Sequence, residues 1–187
     1  VEKISQEKIV CTASELITKT GRTNISLNMI ADELGITHGA LYKHFNNKQE
    51  LWEAVASQWF QTQILDHVTQ TLSSRTPRPN TDAATELHDW LWAFVTAKKA
   101  ANKADTQMFS LNTRYIDNNP LALRQVLQPA CQHIDQLMAY HDPHFERAET
   151  ILSAFSIFTL PNFKDTWEWP DYQPRFEAMW ALIAPGV

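Results

Sequence analysis

The chain has 187 residues, 44% hydrophobic and 20% charged, which is the balance of a globular protein with a sizeable core and excludes an intrinsically disordered one. Its formal net charge of -5 excludes wholesale electrostatic binding to nucleic acid, though not a small basic surface. No apolar run is long enough to span a bilayer, no charged-then-apolar leader opens the chain, and Cys11 and Cys131 stand alone, so a cytoplasmic protein with free thiols is expected.

Glycine is scarce, with Gly21, Gly35 and Gly39 early and none again until Gly186, and alternating strand patterns are nearly absent, so the fold class predicted is all-α. A first helix is predicted from about Ser5 to Thr20, with Ile9, Ala13, Leu16 and Ile17 on one face and Gly21 as a left-handed C-cap. Ser26 caps a second helix, with Leu27, Ile30, Ala31 and Leu34 inward, and Gly35 closes it after about two turns. Thr37 caps a short third helix that puts Leu41 and Phe45 on its inner face, and Asn46 and Asn47 end it. A fourth helix is expected from there to about Ser73, followed by a linker from Ser73 to Asp82 with small polar residues and two prolines.

Further on, Asp82 leads a helix through Leu87, Trp90, Leu91 and Phe94 to a basic, alanine-rich end, and Asp105 to Ile116 reads as another. Pro120 suits the first turn of the next helix, whereas Pro129 inside its pattern is expected to kink or break it. A helix from His144 to Leu160 would align Ala148, Ile151, Leu152, Phe155 and Phe158, the stretch from Pro161 to Pro174 reads as a loop, and a last helix carries Phe176, Met179, Trp180 and Ile183.

The segment "IADELGITHGALYKHFNNKQEL", Ile30 to Leu51, differs from the rest. Two helices joined by a tight glycine turn, the second short and amphipathic, make a helix-turn-helix whose second helix fits the major groove. Between residues 35 and 50 the only acidic side chain is Glu50, although residues 1–60 together carry six Lys and Arg against seven Asp and Glu. The basic surface is therefore local.

The longer stretch "ISLNMIADELGITHGALYKHFNNKQEL" resembles the DNA-binding end of the TetR family of bacterial transcriptional repressors. That family's pattern is a first helix ending in Gly, a Ser or Thr cap, then "IA…GV" and "LYxHFxxKxxL". This chain has "ITKTG", Ser26, "IADELGI" and "LYKHFNNKQEL", so the likeness covers about residues 4–52. The resemblance implies a DNA-binding domain over residues 1–47 and a helical effector-binding and dimerisation domain over residues 48–187. It also implies a homodimer that grips a roughly palindromic operator in double-stranded DNA, with heads about 34–36 Å apart or a multiple of that, and is released by a small, largely apolar molecule. On that reading His38, Gly39 and Lys43 approach base edges, and Ser26, Thr37, Tyr42, His44 and Lys48 hold phosphates.

Outside the motif the sequence offers weaker candidates. Trp90, Phe94, Phe109, Tyr115, Phe155 and Phe158 could line a ligand cavity, with Gln107, Asn112, Arg114 and His133 as polar members. Ile151, Leu152, Phe155 and Phe158 with Phe176, Met179, Trp180 and Ile183 could form a four-helix dimer interface. The cluster His141, Asp142, His144 and Glu146 is split by Pro143 and has adequate structural roles, so no metal and no cofactor are expected. Phosphate loops, nucleophile elbows and spaced carboxylate pairs are missing from the sequence, so no enzyme is expected. A pure protein-interaction bundle would leave the phosphate-facing cluster unexplained.

Overall fold

The computed structural model describes residues 4–76 and 80–187, and among these every regular element is helical. Of the linker read at Ser73 to Asp82, residues 77–79 lie outside the described residues. The elements are α1 (Gln6–Thr20), α2 (Leu27–Leu34), α3 (His38–Leu41), α4 (Lys48–Phe60), α5 (Asp66–Ser73), α6 (Ala83–Ala104), α7 (Thr106–Asn112), α8 (Pro120–Met138), α9 (Glu146–Ala154) and α10 (Tyr172–Ile183).

Local side-chain chemistry sets most helix starts. Ser5, Ser26, Asn47, Asp82, Asp105 and Asn119 each accept a hydrogen bond from a backbone N–H in the first turn of the helix they precede. At α4 the capping is reciprocal, because Asn47 accepts from Glu50 N–H at 2.8 Å while the Glu50 carboxylate accepts from Asn46 N–H at 2.7 Å. Gly35, at φ 63°, ends α2; its N–H and that of Ile36 return to the last carbonyls of the helix, Asp32 and Ala31.

The long helix expected up to Ser73 is present with a defect. α4 and α5 are joined without a break by a π-helical segment, Gln61–Leu65. A second such segment, Thr113–Asp117, follows α7. π segments widen a helix by one residue per turn and occur often at functional sites. α4 ties the two halves of the chain together, burying Leu51, Trp52, Val55, Ala56, Trp59 and Phe60 against α1 on one side and α7 on the other.

Four expectations need correction. α8 runs unbroken through Pro129. The carbonyl that loses its partner belongs to Gln125, which is exposed, as is Pro129, so water can satisfy it. The helix expected from His144 to Leu160 is shorter, starting at Glu146 and ending at Ala154, with a 3₁₀ turn over Ser156–Phe158. The stretch read as a loop from Pro161 to Pro174 contains a 3₁₀ helix, Pro161–Thr166, and the first turn of α10, and it places Trp167 and Tyr172 in the core.

The fourth concerns the second copy. Ile151, Leu152, Phe155, Phe158 and Phe176 are buried within this chain, where the Phe155, Phe158 and Phe176 rings pack tilted or edge-on against one another. The five are expected at a dimer interface, but Phe155, Phe158 and Phe176 have no surface left for a second copy, and Ile151 and Leu152 have little. Of that set only Met179, Trp180 and Ile183 keep part of their surface open.

Candidate nucleic-acid interface and effector cavity

The helix-turn-helix is fixed from beneath. Ile30, Ala31, Leu41 and Phe45 join Ile9, Ala13, Leu16 and Ile17 of α1 in the core, and the Gln6 side chain on α1 donates to the His44 carbonyl. What remains outward is the polar set. Ser26, Thr37, His38, Gly39, Tyr42, Lys43 and Lys48 are exposed and His44 is half-buried. They span the start of α2, all of α3, the turn after it and the first residue of α4.

Individual geometries refine their roles. The Ser26 hydroxyl accepts from Met29 N–H at 3.2 Å, which leaves its own O–H free to donate. Thr37 stands at the N-cap of α3 with extended backbone, but its side chain makes no capping bond, so its hydroxyl too is free to donate outward. α3 is only one turn long, and beyond it Lys43, His44 and Phe45 N–H groups bond back to Ala40 and Leu41 carbonyls. His38 packs edge-on to Tyr42 with ring centroids 5.2 Å apart, orienting both on the outer face. An added Cβ at Gly39 would meet nothing within 4 Å, so no internal contact requires glycine there.

The helical body holds a cavity of about 420 Å³, with apolar walls from Phe60, Phe94, Leu123, Leu127, Leu152 and Leu160. Two ion pairs interrupt them. Lys98 and Asp117 are both 2% exposed at the side chain, with Nζ to Oδ1 at 3.1 Å and Nζ to Oδ2 at 3.4 Å. Arg124 and Glu149, at 68% and 38% exposure, make the second pair at 2.7 Å where the cavity meets the surface. Asn112 donates to Asp117 Oδ2 at 3.0 Å, and the Phe60 and Phe109 rings lie 5.1 and 5.3 Å from Lys98 Nζ. Burial pushes the Lys98 amine below the ordinary lysine range, with the Asp117 charge pulling the other way. The Cys131 thiol, on the same wall, is pushed up to about 11, first by burial and then by Glu149.

Of the ten residues expected in such a cavity, Phe94 lines it. Trp90 stacks on Phe94 at 5.3 Å and on the exposed His133 at 5.4 Å, outside it. Phe109 and the exposed Gln107 line a different, shallower cleft, Tyr115 is buried with Arg114 exposed over its ring, and Phe155 and Phe158 belong to the aromatic core. Asn112 acts behind Asp117 rather than on the wall. Sequence reasoning missed Lys98 and Asp117. The signal for Lys98 was present, since it continues the apolar row Leu87, Leu91, Phe94 at helical spacing.

The histidine cluster has structural work. The Asp142 carboxylate accepts from His144 N–H at 3.0 Å and Arg147 N–H at 3.3 Å, which holds it below the usual carboxylate range and starts α9. Among the described residues no group of three or more His, Cys, Asp or Glu side chains could hold a metal ion, and no helix is long and apolar enough to cross a membrane.

Residues 9–55 match the model of the bacterial regulatory proteins of the tetR family. The chain is 36% identical over 56 residues to the class C tetracycline repressor protein of Escherichia coli, covering 30% of this chain and 26% of that one. It is 45% identical over 49 residues to an HTH-type transcriptional regulator of Staphylococcus aureus (strain USA300), covering 26% of each. These matches thus span about a quarter of the relatives' length. Two solved structures share the whole fold. One is BioQ with its natural double-stranded DNA operator, at TM-score 0.59 and 20% identity over 98% of this chain and 99% of that chain. The other is the fatty acid degradation regulator FadR from Bacillus halodurans, at TM-score 0.54 and 16% identity over 100% and 98%. Residues 9–55 thus carry the helix-turn-helix of the bacterial regulatory proteins of the tetR family, on a helical fold shared with BioQ and FadR.

Proposed function

We propose that the protein is a ligand-responsive transcriptional repressor, in which residues 1–47 bind DNA and residues 48–187 bind an effector and a second copy of the chain. The observation that carries this reading is the outward polar set from Ser26 to Lys48 on a helix-turn-helix whose inner face is locked to α1. A homodimer grips two half-sites of a roughly palindromic operator; support for a DNA partner comes from the shared fold of BioQ, a protein seen with its own double-stranded DNA operator. His38, Gly39 and Lys43 meet base edges, and Ser26, Thr37, Tyr42, His44 and Lys48 hold phosphates.

Release follows from occupation of the cavity by a small, largely apolar molecule. Asp117 and Pro120 line that cavity. Between them Asn119 caps α8 and also donates to Glu53 on α4 at 2.9 Å. A ligand that shifts this corner therefore pulls on the helix that follows the DNA-binding residues. To lower operator affinity a hundredfold it must prefer the DNA-incompetent state by about 2.7 kcal/mol, and operator must weaken ligand binding by the same factor.

Salt-dependent binding to random duplex at low ionic strength tests the DNA reading, since phosphate contacts do not depend on sequence. Lys48→Ala should weaken binding to all duplexes alike and make the log–log salt slope shallower by about one. Lys43→Ala should cost about 1–3 kcal/mol on an operator selected from a random pool and relax preference at one position. A Lys48→Ala protein that changed only in sequence preference would reverse the two roles.

Gly39 separates folding from binding. Because a Cβ there meets nothing, Gly39→Ala should leave stability unchanged or raise it by up to about 1 kcal/mol. The same methyl would stand between backbone and groove, so duplex affinity should fall. Urea melts and fluorescence anisotropy on one preparation decide it, and unchanged affinity would remove Gly39 from the interface.

A further inference from the structure

The cavity in the helical body is built to be electrically neutral, and that limits what can enter it. Its inner pair, Lys98 and Asp117, is fully enclosed, and its outer pair, Arg124 and Glu149, stands at the surface. Each cation has its own anion, so no unbalanced charge remains among the wall's Lys, Arg, Asp and Glu side chains. A carboxylate entering such a site must compete with Asp117 for Lys98 and leave one of two anions buried without a partner. An ammonium meets the opposite difficulty, because Asp117 is already held by Lys98 and by Asn112. Either charge would be desolvated without compensation.

A neutral acceptor meets neither difficulty. The Lys98 ammonium has three N–H donors, and its hydrogen bonds go to the two oxygens of one carboxylate, which leaves a donor for the cavity. Around it the walls are aromatic and aliphatic, from Phe60 and Phe94 to Leu123, Leu127, Leu152 and Leu160. We propose that the effector is an uncharged molecule with an apolar body and one buried carbonyl or hydroxyl oxygen, and that this oxygen accepts a hydrogen bond from Lys98 Nζ. This rests on the reading of the body as an effector-binding domain and specifies what that domain recognises. The buried pair acts as a selector, offering a strong donor to neutral oxygens and no free countercharge to ions.

The test compares probes of one chain length: methyl octyl ketone, decanoate and decylamine, titrated calorimetrically into the full chain below their micelle concentrations. The ketone should bind about tenfold to a hundredfold tighter than decane, the range for one hydrogen bond from a charged donor, and tighter than either ion, each desolvated without compensation. Lys98→Met/Asp117→Leu, which removes both charges together and so avoids stranding one, should erase most of the ketone's advantage over plain decane. Tightest binding by decanoate or decylamine, or a double variant that keeps the full ketone preference, overturns the assignment of ligand class and leaves ligand-responsive regulation standing. Failure of every probe to bind overturns the cavity as an effector site, and release by a cavity ligand falls with it.

Discussion

Asp117→Leu is expected to cost about 3–5 kcal/mol of folding stability, whereas Lys98→Met/Asp117→Leu should lie within about 1 kcal/mol of the wild type or above it. The single change leaves the Lys98 ammonium, 2% exposed and beside the Phe60 and Phe109 rings, with no carboxylate partner. The double change exchanges an ion pair for apolar side chains of similar volume beside a wall that is already apolar, and pairs of this kind gain little net stability over such a replacement. Urea unfolding of the three proteins reads the difference directly, because m should be unchanged and only the midpoint should move. Equal losses in the single and double variants would mean that the damage comes from packing at Asp117 and not from a stranded charge. The pair would then have no electrostatic part in the cavity.

What the sequence made legible follows from how far each signal reaches. A cap is local, so Ser26 and Asp82 are readable from the residue and the helical pattern after it, and the structure has both in place, whereas Thr37, read as a cap by the same rule, makes no side-chain capping bond. The helix-turn-helix was readable for the same reason, since Gly35, Leu41 and Phe45 act within one short segment. The end of α9 was not. Phe155 and Phe158 are three residues apart, and that spacing suits a further α-turn and a 3₁₀ turn equally, so periodicity could not tell them apart. The segment from Pro161 to Pro174 is ordered by side-chain contacts, some from far along the chain, such as the Tyr172 hydroxyl to the Val95 carbonyl at 3.3 Å. Trp167 donates from its indole to the Ile157 carbonyl at 3.0 Å, Lys99 donates to the Trp167 carbonyl, and Arg175 donates to the Thr166 carbonyl at 2.8 Å. Turn-forming residues alone suggested a loop. Aromatic content does not mark the cavity, because most of those rings pack on each other and its aliphatic walls come from Leu123, Leu127, Leu152 and Leu160.

Leu182→Glu should turn a dimer into a folded monomer, and Phe155→Glu should yield no folded protein at all. Both follow from where the structure puts the apolar surface of the C-terminal third. Phe155 is 0% exposed, inside the ring cluster with Phe158 and Phe176, so a carboxylate there is buried without a partner and belongs to the exceptional class of changes above about 4 kcal/mol. Leu182 on α10 is 79% exposed, and Met179, Trp180 and Ile183 beside it keep part of their surface open. These side chains, not the buried five, are what a second copy can cover in the proposed dimer, and a two-fold contact buries the same patch on both copies. Leu182→Glu then puts a carboxylate into that apolar contact on each copy, adding its desolvation to the lost apolar area. Sedimentation at micromolar concentration should show the wild type as a dimer and Leu182→Glu as a monomer with unchanged helical circular dichroism. Operator affinity should fall by about 10²–10⁴-fold, since each half-site would be bound without the effective concentration its linked neighbour provides. A wild-type protein that sediments as a monomer would remove the dimer. A folded Phe155→Glu monomer beside a dimeric Leu182→Glu would instead place the contact on α9.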